Sequence, residues 1–296
     1  MKSNSIFLKR VYTRSLDLYL DQINFLKKVR ARIFKKKMIY SKYSRINNFG
    51  DLYNIDLVRF FNAELIYVSS PLKSEMALTG SILGDYPRHF SGHILGAGFI
   101  SKRYNRVGNS WKVKIIRGPL SAKQCGVFSE VEFGDPGILA SQIYSANCKK
   151  YYELGIVPHK RDYEIVKCLK LDKTVKIINP RQLPAKVAKE INQCRFIASS
   201  SLHGLIFADS FRIPNIHLKF SDNLIGGFHK FEDYYLGMKT TPEHLVFTST
   251  LAVADIVKSC RLRYTGKFLY QRQEKIKIII SSVIHKEKKI SSITEC

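Results

Sequence analysis

The chain has 296 residues and is 45% hydrophobic, enough for a large core, and its length accommodates one large domain or two of ordinary size. Its 49 Lys plus Arg against 24 Asp plus Glu give a formal net charge of +25, so acidic partners are expected: phosphorylated substrates, an anionic membrane surface or nucleic acid. Six cysteines, at positions 125, 148, 168, 194, 260 and 296, are scattered with no CxxC pair and no metal-ligand spacing, and read as reduced thiols in a cytoplasmic protein.

Residues 1–37 alternate apolar residues (Leu16, Leu18, Ile23, Phe25, Leu26, Val29, Ile33) with basic ones (Lys27, Lys28, Arg30, Arg32, Lys35, Lys36, Lys37). At helical spacing this is a basic amphipathic arm, suited to an anionic membrane or to the protein's own surface. Charges break every apolar run near the start, so neither a secretory signal nor a spanning helix is expected. Lys37–Tyr40 predicts a first strand. It leads through Asn48-Phe-Gly-Asp51 into a helix with Leu52, Ile55, Val58 and Phe61 on one face, for which Asp51 is the expected cap. Asn48, Gly50 and Asp51 thereby fall at a strand's carboxyl end, where open α/β sheets bind ligands.

His93–Gly98 predicts another such edge, and Trp111–Ile116 alternates as a strand that Gly118-Pro119 ends, with Pro119 opening a helix to Cys125. Arg117 falls at that strand's end, where a guanidinium can make two-point contact with a carboxylate or phosphate. The polar, aperiodic run 140–151 marks a domain boundary. Beyond it Tyr152–Val157 predicts a strand ending at Pro158-His159, Val175–Ile178 a strand, Pro184–Cys194 a helix and Ile216–Lys219 a strand. The alternation predicts parallel sheets with helices on both faces. From residue 267 lysines again surround Ile276, Ile278, Ile279, Ile280, Val283 and Ile284. That tail reads as a second basic helix with β-prone residues in it.

Everything converges on residues 194–215. Arg195–Ala198 is a short apolar run of the buried-strand type, and Leu202–Phe211 carries apolar residues at helical spacing. Between them lie Ser199, Ser200 and Ser201, natural cap residues at a helix terminus whose N–H groups suit an anion. His203 sits in that helix's first turn.

Ser200-Ser-Leu-His-Gly204 with Ala208–Phe211 and Ile213–Asn215 resembles the signature of the polysaccharide pyruvyl transferases. Asn48–Asp51, Leu95–Gly98, Arg117–Leu120, Gly134–Pro136, Gly155–His159 and Lys230–Tyr235 resemble its other blocks, in the family's order. The element order fits an α/β fold of two Rossmann-like domains facing a cleft (GT-B-like), which the resemblance also implies, and the basic arm and tail add helical N- and C-terminal extensions. The corresponding division is 1–37, 38–145, 146–265 and 266–296.

The resemblance further implies transfer of the enolpyruvyl group of phosphoenolpyruvate onto two hydroxyls of a sugar in a bacterial surface or exopolysaccharide precursor, with phosphate released. The acceptor stays open between lipid-linked, nucleotide-linked and polymeric forms. On this reading His203 donates the proton. Arg117, Ser200, Ser201 and His159 hold the anionic donor, and Asn48, Gly50 and Asp51 line the same site. No metal and no cofactor beyond the donor substrate are expected. Where the family pattern has Arg before Leu-His this chain has Ser201, so either another base such as Lys230 or Arg195 supplies the missing charge or donor affinity is weaker. The alternative is a GT-B glycosyltransferase using a nucleotide sugar, with Glu232 or Asp233 on the ribose. Nucleic acid is not an expected partner, because basic residues concentrate in the tails rather than along an aromatic-lined groove. The expected location is the cytoplasm, with the tails on the inner membrane's cytoplasmic face.

Overall fold

The computed structural model describes residues 21–44, 48–127, 130–144 and 148–285; residues 1–20 of the expected arm and 286–296 of the expected tail lie outside them. Helix α1 (21–33) and strand β1 (Lys37–Ser41) come first, followed by α2 (Phe49–Phe60), β2 (Ala63–Tyr67), β3 (Met76–Ala77), β4 (His93–Leu95), β5 (Lys112–Ile116), α3 (Pro119–Cys125) and β6 (Glu132–Phe133). After them come α4 (Ala140–Ile143), β7 (Tyr152–Val157), α5 (Tyr163–Val166), β8 (Val175–Ile177), α6 (Pro184–Asn192), β9 (Cys194–Ser199) and α7 (Leu202–Ser210). The described chain ends with β10 (Asn215–Lys219), α8 (His229–Gly237), β11 (Leu245–Val246), α9 (Val253–Ser259) and α10 (Gly266–His285).

The pairings between these strands are parallel, giving the expected α/β class. β1 pairs with β2, and β3 to β6 pair in sequence order. Glu75 N donates to Tyr40 O at 2.7 Å and Ser41 Oγ to Met76 O at 2.7 Å, stitching β1 to β3. The first half therefore reads β2-β1-β3-β4-β5-β6, and the second half reads β8-β7-β9-β10-β11. Counted from its own first strand, each half begins 2-1-3-4-5, a doubly wound order whose direction reverses beside the first strand and leaves a crevice at the carboxyl ends there. Those crevices fall at β1/β3 and β7/β9. Register completes the placement: Val157 lies opposite Ser199, so the chain leaves both strands at the same height and His159 emerges beside Ser200.

One buried cluster runs through both halves. Tyr53 and Leu57 of α2 share it with Val187 and Ile191 of α6 and with Leu205 and Phe207 of α7. The elements flanking the two crevices are thus packed together through one core. α10 is the second tie. Leu269, Gln273, Ile276, Ile280 and Ile284 form its buried face, Gln273 Nε2 donates to Ile138 O at 2.8 Å, and Arg272 pairs with Glu132 of β6. Burial at i, i+4, i+7 spacing overrides the β preference of the isoleucines. The tail's apolar face thus packs on the protein itself. No helix among the described residues is long and apolar enough to cross a membrane.

Two local expectations change. Asn48, not Asp51, occupies the cap position of α2; Asp51 lies in its first turn and accepts from Asn48 Nδ2 at 2.9 Å. Ser201 is the cap residue of α7, yet no serine side chain caps the helix. Ser199 instead donates to Val157 O at 2.7 Å.

Candidate active site

A pocket of about 400 Å³ lies where the two crevices meet, lined by Ser44, Asn48, Asp51 and Ser81 from the first half and by His159, Lys160, Arg161, Ser201, His203 and Lys230 from the second. Five of the eight expected site residues line it: Asn48, Asp51, His159, Ser201 and His203. Gly50 is not on the pocket wall but packs against the Nδ1 edge of His203. A Cβ there would lie 2.0 Å from His203 Nδ1, so only glycine lets the imidazole pack against α2.

His203 is buried on the second residue of α7, edge-on to Phe49 with ring centroids 6.4 Å apart. Burial, then the charges of Lys230 and Arg117, push its pKa down to about 3, so the imidazole is neutral at pH 7. His159 behaves alike: burial, Lys230, Lys160 and Arg161 bring it to about 3. Burial first, and these cations second, keep both histidines unprotonated, and the cations suit the pocket to an anion.

Lys230 is the principal cation among them. Its side chain lines the pocket from α8 and is buried. Burial, then Arg117, lowers its pKa to about 8, against the attraction of Asp51 and Asp162. A buried ammonium is unfavourable unless a ligand or a partner compensates it, and the nearest aromatic contact, Phe231 at 5.1 Å, offers little of that. Of the two substitutes for the family's missing arginine, Lys230 is in place. Arg195 is on the surface, 3.5 Å from Glu153.

Arg117 lies beneath the pocket rather than on its wall. Its side chain is fully buried, with Nε donating to Asp233 Oδ2 at 3.0 Å, one terminal nitrogen to Ser81 Oγ at 2.8 Å and the other to Phe99 O at 2.5 Å. Asp233 in turn accepts from Ser121 N at 2.9 Å and Ser121 Oγ at 2.6 Å. The pair therefore anchors α8, and with it Lys230, to the β5–α3 junction. Gly118 permits the approach, since a Cβ there would meet Asp233 O at 1.8 Å. Asp233, one of the two acids suited to a ribose, is committed to this pair, while Glu232 lines an adjoining pocket with Lys102 and with Arg103, which borders both.

Ser200 also points away from the pocket. Its hydroxyl donates to Asp162 Oδ2 at 2.7 Å and accepts from His159 N at 2.9 Å, so it fixes the two loops to each other. Ser201 remains at the pocket wall, and the uncapped first turn of α7 leaves N–H groups for an anion. Sequence reasoning missed Asp135 as a site residue, although it stands in the quoted Gly134-Asp-Pro136 block. It is fully buried, and Oδ2 lies 3.8 Å from His203 Nε2.

Comparison with known proteins bears on this geometry. Residues 138–222, which contain His159, Ser201 and His203, match the polysaccharide pyruvyl transferase family. The chain is similar to the succinoglycan biosynthesis protein ExoV of Rhizobium meliloti (strain 1021), with 31% identity over 107 residues, 35% of this chain and 34% of ExoV. The match thus spans about a third of that relative. It is also similar to the uncharacterized protein L143 of Acanthamoeba polyphaga mimivirus, 28% identical over 245 residues that cover 77% of this chain and 79% of the other. Across the histidine-bearing loops of its second half, the chain is thus similar to the polysaccharide pyruvyl transferase family.

Proposed function

We propose that the protein transfers the enolpyruvyl group of phosphoenolpyruvate to two hydroxyls of one sugar in an exopolysaccharide or surface polysaccharide precursor, forming a pyruvate ketal and inorganic phosphate. The observation that carries this reading is the buried Lys230 ammonium beside a neutral His203 in one pocket. Phosphoenolpyruvate brings a carboxylate and a phosphate to Lys230, Lys160 and Arg161, with the first-turn N–H groups of α7 as further donors. That negative charge raises the pKa of His203 toward the range where it protonates the methylene carbon. A sugar hydroxyl adds to the cationic carbon, phosphate leaves, and the second hydroxyl closes the ketal. One hydroxyl proton replaces the proton given to the methylene and the other leaves on phosphate. Asp51, its pKa raised mainly by burial, lies opposite as a hydroxyl acceptor. In this reading Arg117 positions Lys230 through Asp233 and does not itself touch the donor.

The two halves are taken as Rossmann-like domains of GT-B type facing this pocket. The acceptor and the site of action belong to the same proposal. α1 docks by polar contacts, with Asn24 bridging the N–H and C=O of Tyr67 and Lys27 donating to Leu65 O. It leaves Phe25, Leu26, Ile33 and Phe34 more than 60% exposed, beside Lys28, Arg30 and Arg32, as a peripheral contact with an anionic leaflet would need. The decisive test is phosphate release from phosphoenolpyruvate that depends on an added sugar acceptor. Release at the same rate without any acceptor would overturn the reading.

A further inference from the structure

The geometry points to Asp135 as the positioning residue of His203: a buried carboxylate that shares a proton with Nε2 and thereby sets whether the pocket-side nitrogen, Nδ1, is a donor or an acceptor. This inference rests on the pyruvyl-transfer reading for its kinetic consequence but not for its structural one.

Asp135 Oδ2 and His203 Nε2 are both buried, both without any other hydrogen-bond partner, and 3.8 Å apart. Buried polar atoms are rarely left unpaired, and two that face each other with no competing partner are a pair awaiting a small closure. The carboxylate is held in place. Its other oxygen accepts from Gly137 N at 2.9 Å, capping the turn Pro136–Leu139. The imidazole is held as well, with Gly50 against Nδ1 and Gly137 against Cδ2, where a Cβ would stand at 2.0 Å and 3.6 Å respectively. Nε2 therefore faces the interior and Nδ1 lies on the Gly50 side, where the ring borders the pocket.

A lone histidine here would seldom carry the extra proton near neutral pH, since burial and cations hold its pKa near 3. Burial acts oppositely on Asp135, raising it to about 6 against the hydrogen bond from Gly137 and the charge of Arg117. The two titrate as a unit whose proton uptake lies near the carboxyl's value. In the protonated pair, Asp135 O–H donates to Nε2 and Nδ1 carries hydrogen toward the pocket. As the Nδ1 proton moves to the substrate's methylene carbon, the Asp135 proton moves to Nε2. The pair ends as a carboxylate facing Nε2–H, with Nδ1 bare and able to take the proton of the attacking hydroxyl. Other groups bearing on this titration are Arg117 from the end of β5, Lys230 from α8, and Tyr53 and Tyr234, whose hydroxyls feel the Asp135 charge.

Asp135→Asn is the discriminating variant, because an amide oxygen can keep the Gly137 contact while the titrating proton is lost. Ring-nitrogen NMR of His203 in the full chain should show Nε2–H above pH 7 in the wild type and proton uptake by the pair near pH 6. In Asp135→Asn that uptake should move at least one pH unit lower. Turnover should fall by about 100-fold or more, with the donor KM changed only a few-fold, while thermal unfolding stays close to wild type. Identical His203 titration in both proteins would overturn the inference and leave Asp135 as a turn cap. If no acceptor-dependent phosphate release exists even in the wild type, pyruvyl transfer fails, and the NMR comparison still decides the Asp135–His203 pairing.

Discussion

The two crevices share a strand order and differ in chemistry. The first half's wall is Asn48, Asp51, Ser81 and Asp85 with one cation, Arg103; the second half's is His159, Lys160, Arg161, Ser201 and His203, basic or imidazole. Lys230 adds to the second side, and Arg117 holds it there through Asp233 at 3.0 Å. On the proposed reading, this difference orients the anionic donor toward the second half and the acceptor's hydroxyls toward the first. The lesson is that a duplicated topology supplies two ligand edges, and side-chain charge decides which end of the reaction each one serves.

Severing the tie between the halves should have the largest effect. Asp233→Ala leaves the Arg117 guanidinium buried without its countercharge and should destabilise the protein by about 3–5 kcal/mol. Urea unfolding measures this, and a loss below ~1 kcal/mol would show that the pair is not what joins α8 to β5. Next, His203→Gln should lower turnover by about 100-fold, ~2.7 kcal/mol in activation free energy, without a matching loss of stability. Near-normal turnover in that variant would remove His203 from proton transfer. Lys230→Ala should raise the donor KM by about ten- to 150-fold, the equivalent of one charged hydrogen bond at ~1.5–3 kcal/mol. Adding Ser201→Arg to Lys230→Ala should restore part of that loss. Failure to do so would mean that the two positions do not serve the same anion.

Much of this arrangement was legible in the sequence because it rests on local signals. The β7, β9 and α7 boundaries follow from apolar runs broken by Pro158 and the three serines, and five of the expected site residues come together in one pocket. What escaped depends on contacts distant in sequence. Arg117 at a strand's end looks like a ligand-binding guanidinium, and only Asp233, 116 residues away, reveals it as a buried tie. Ser200 looks like a helix cap until Asp162 and the His159 N–H engage its hydroxyl. Asp135 was visible only as part of a Gly-Asp-Pro turn. The isoleucines of α10 read as β-prone, but burial of Ile276, Ile280 and Ile284 on one face decides for helix. Strand β2, Ala63–Tyr67, carried no alternation to announce it, since four of its five residues are buried.

The mildest test is pH, and it separates the two halves without a mutation at the chemistry. Lys230 is lowered to about 8 in the folded protein, against ~10.4 for a lysine in an unfolded chain. Its charge is therefore complete below pH 8 and lost as pH rises through that value. kcat/KM for the donor should be level with respect to this group below pH 8 and fall by about tenfold per pH unit above it. Stability should move the other way. Between pH 8 and ~10.4 the unfolded chain holds a proton that folded Lys230 lacks, so folding is favoured increasingly as pH rises through that window. Lys27 is also lowered to about 8, by burial, and contributes to stability with the same sign. It lies on α1, donating to Leu65 O, and is absent from the pocket wall, so only the kinetic break reports on Lys230. Lys230→Arg retains its charge throughout this range and should remove the break. Persistence of the break at pH 8 in that variant would assign it to another group and weaken the case that the second half supplies the donor's countercharge through α8.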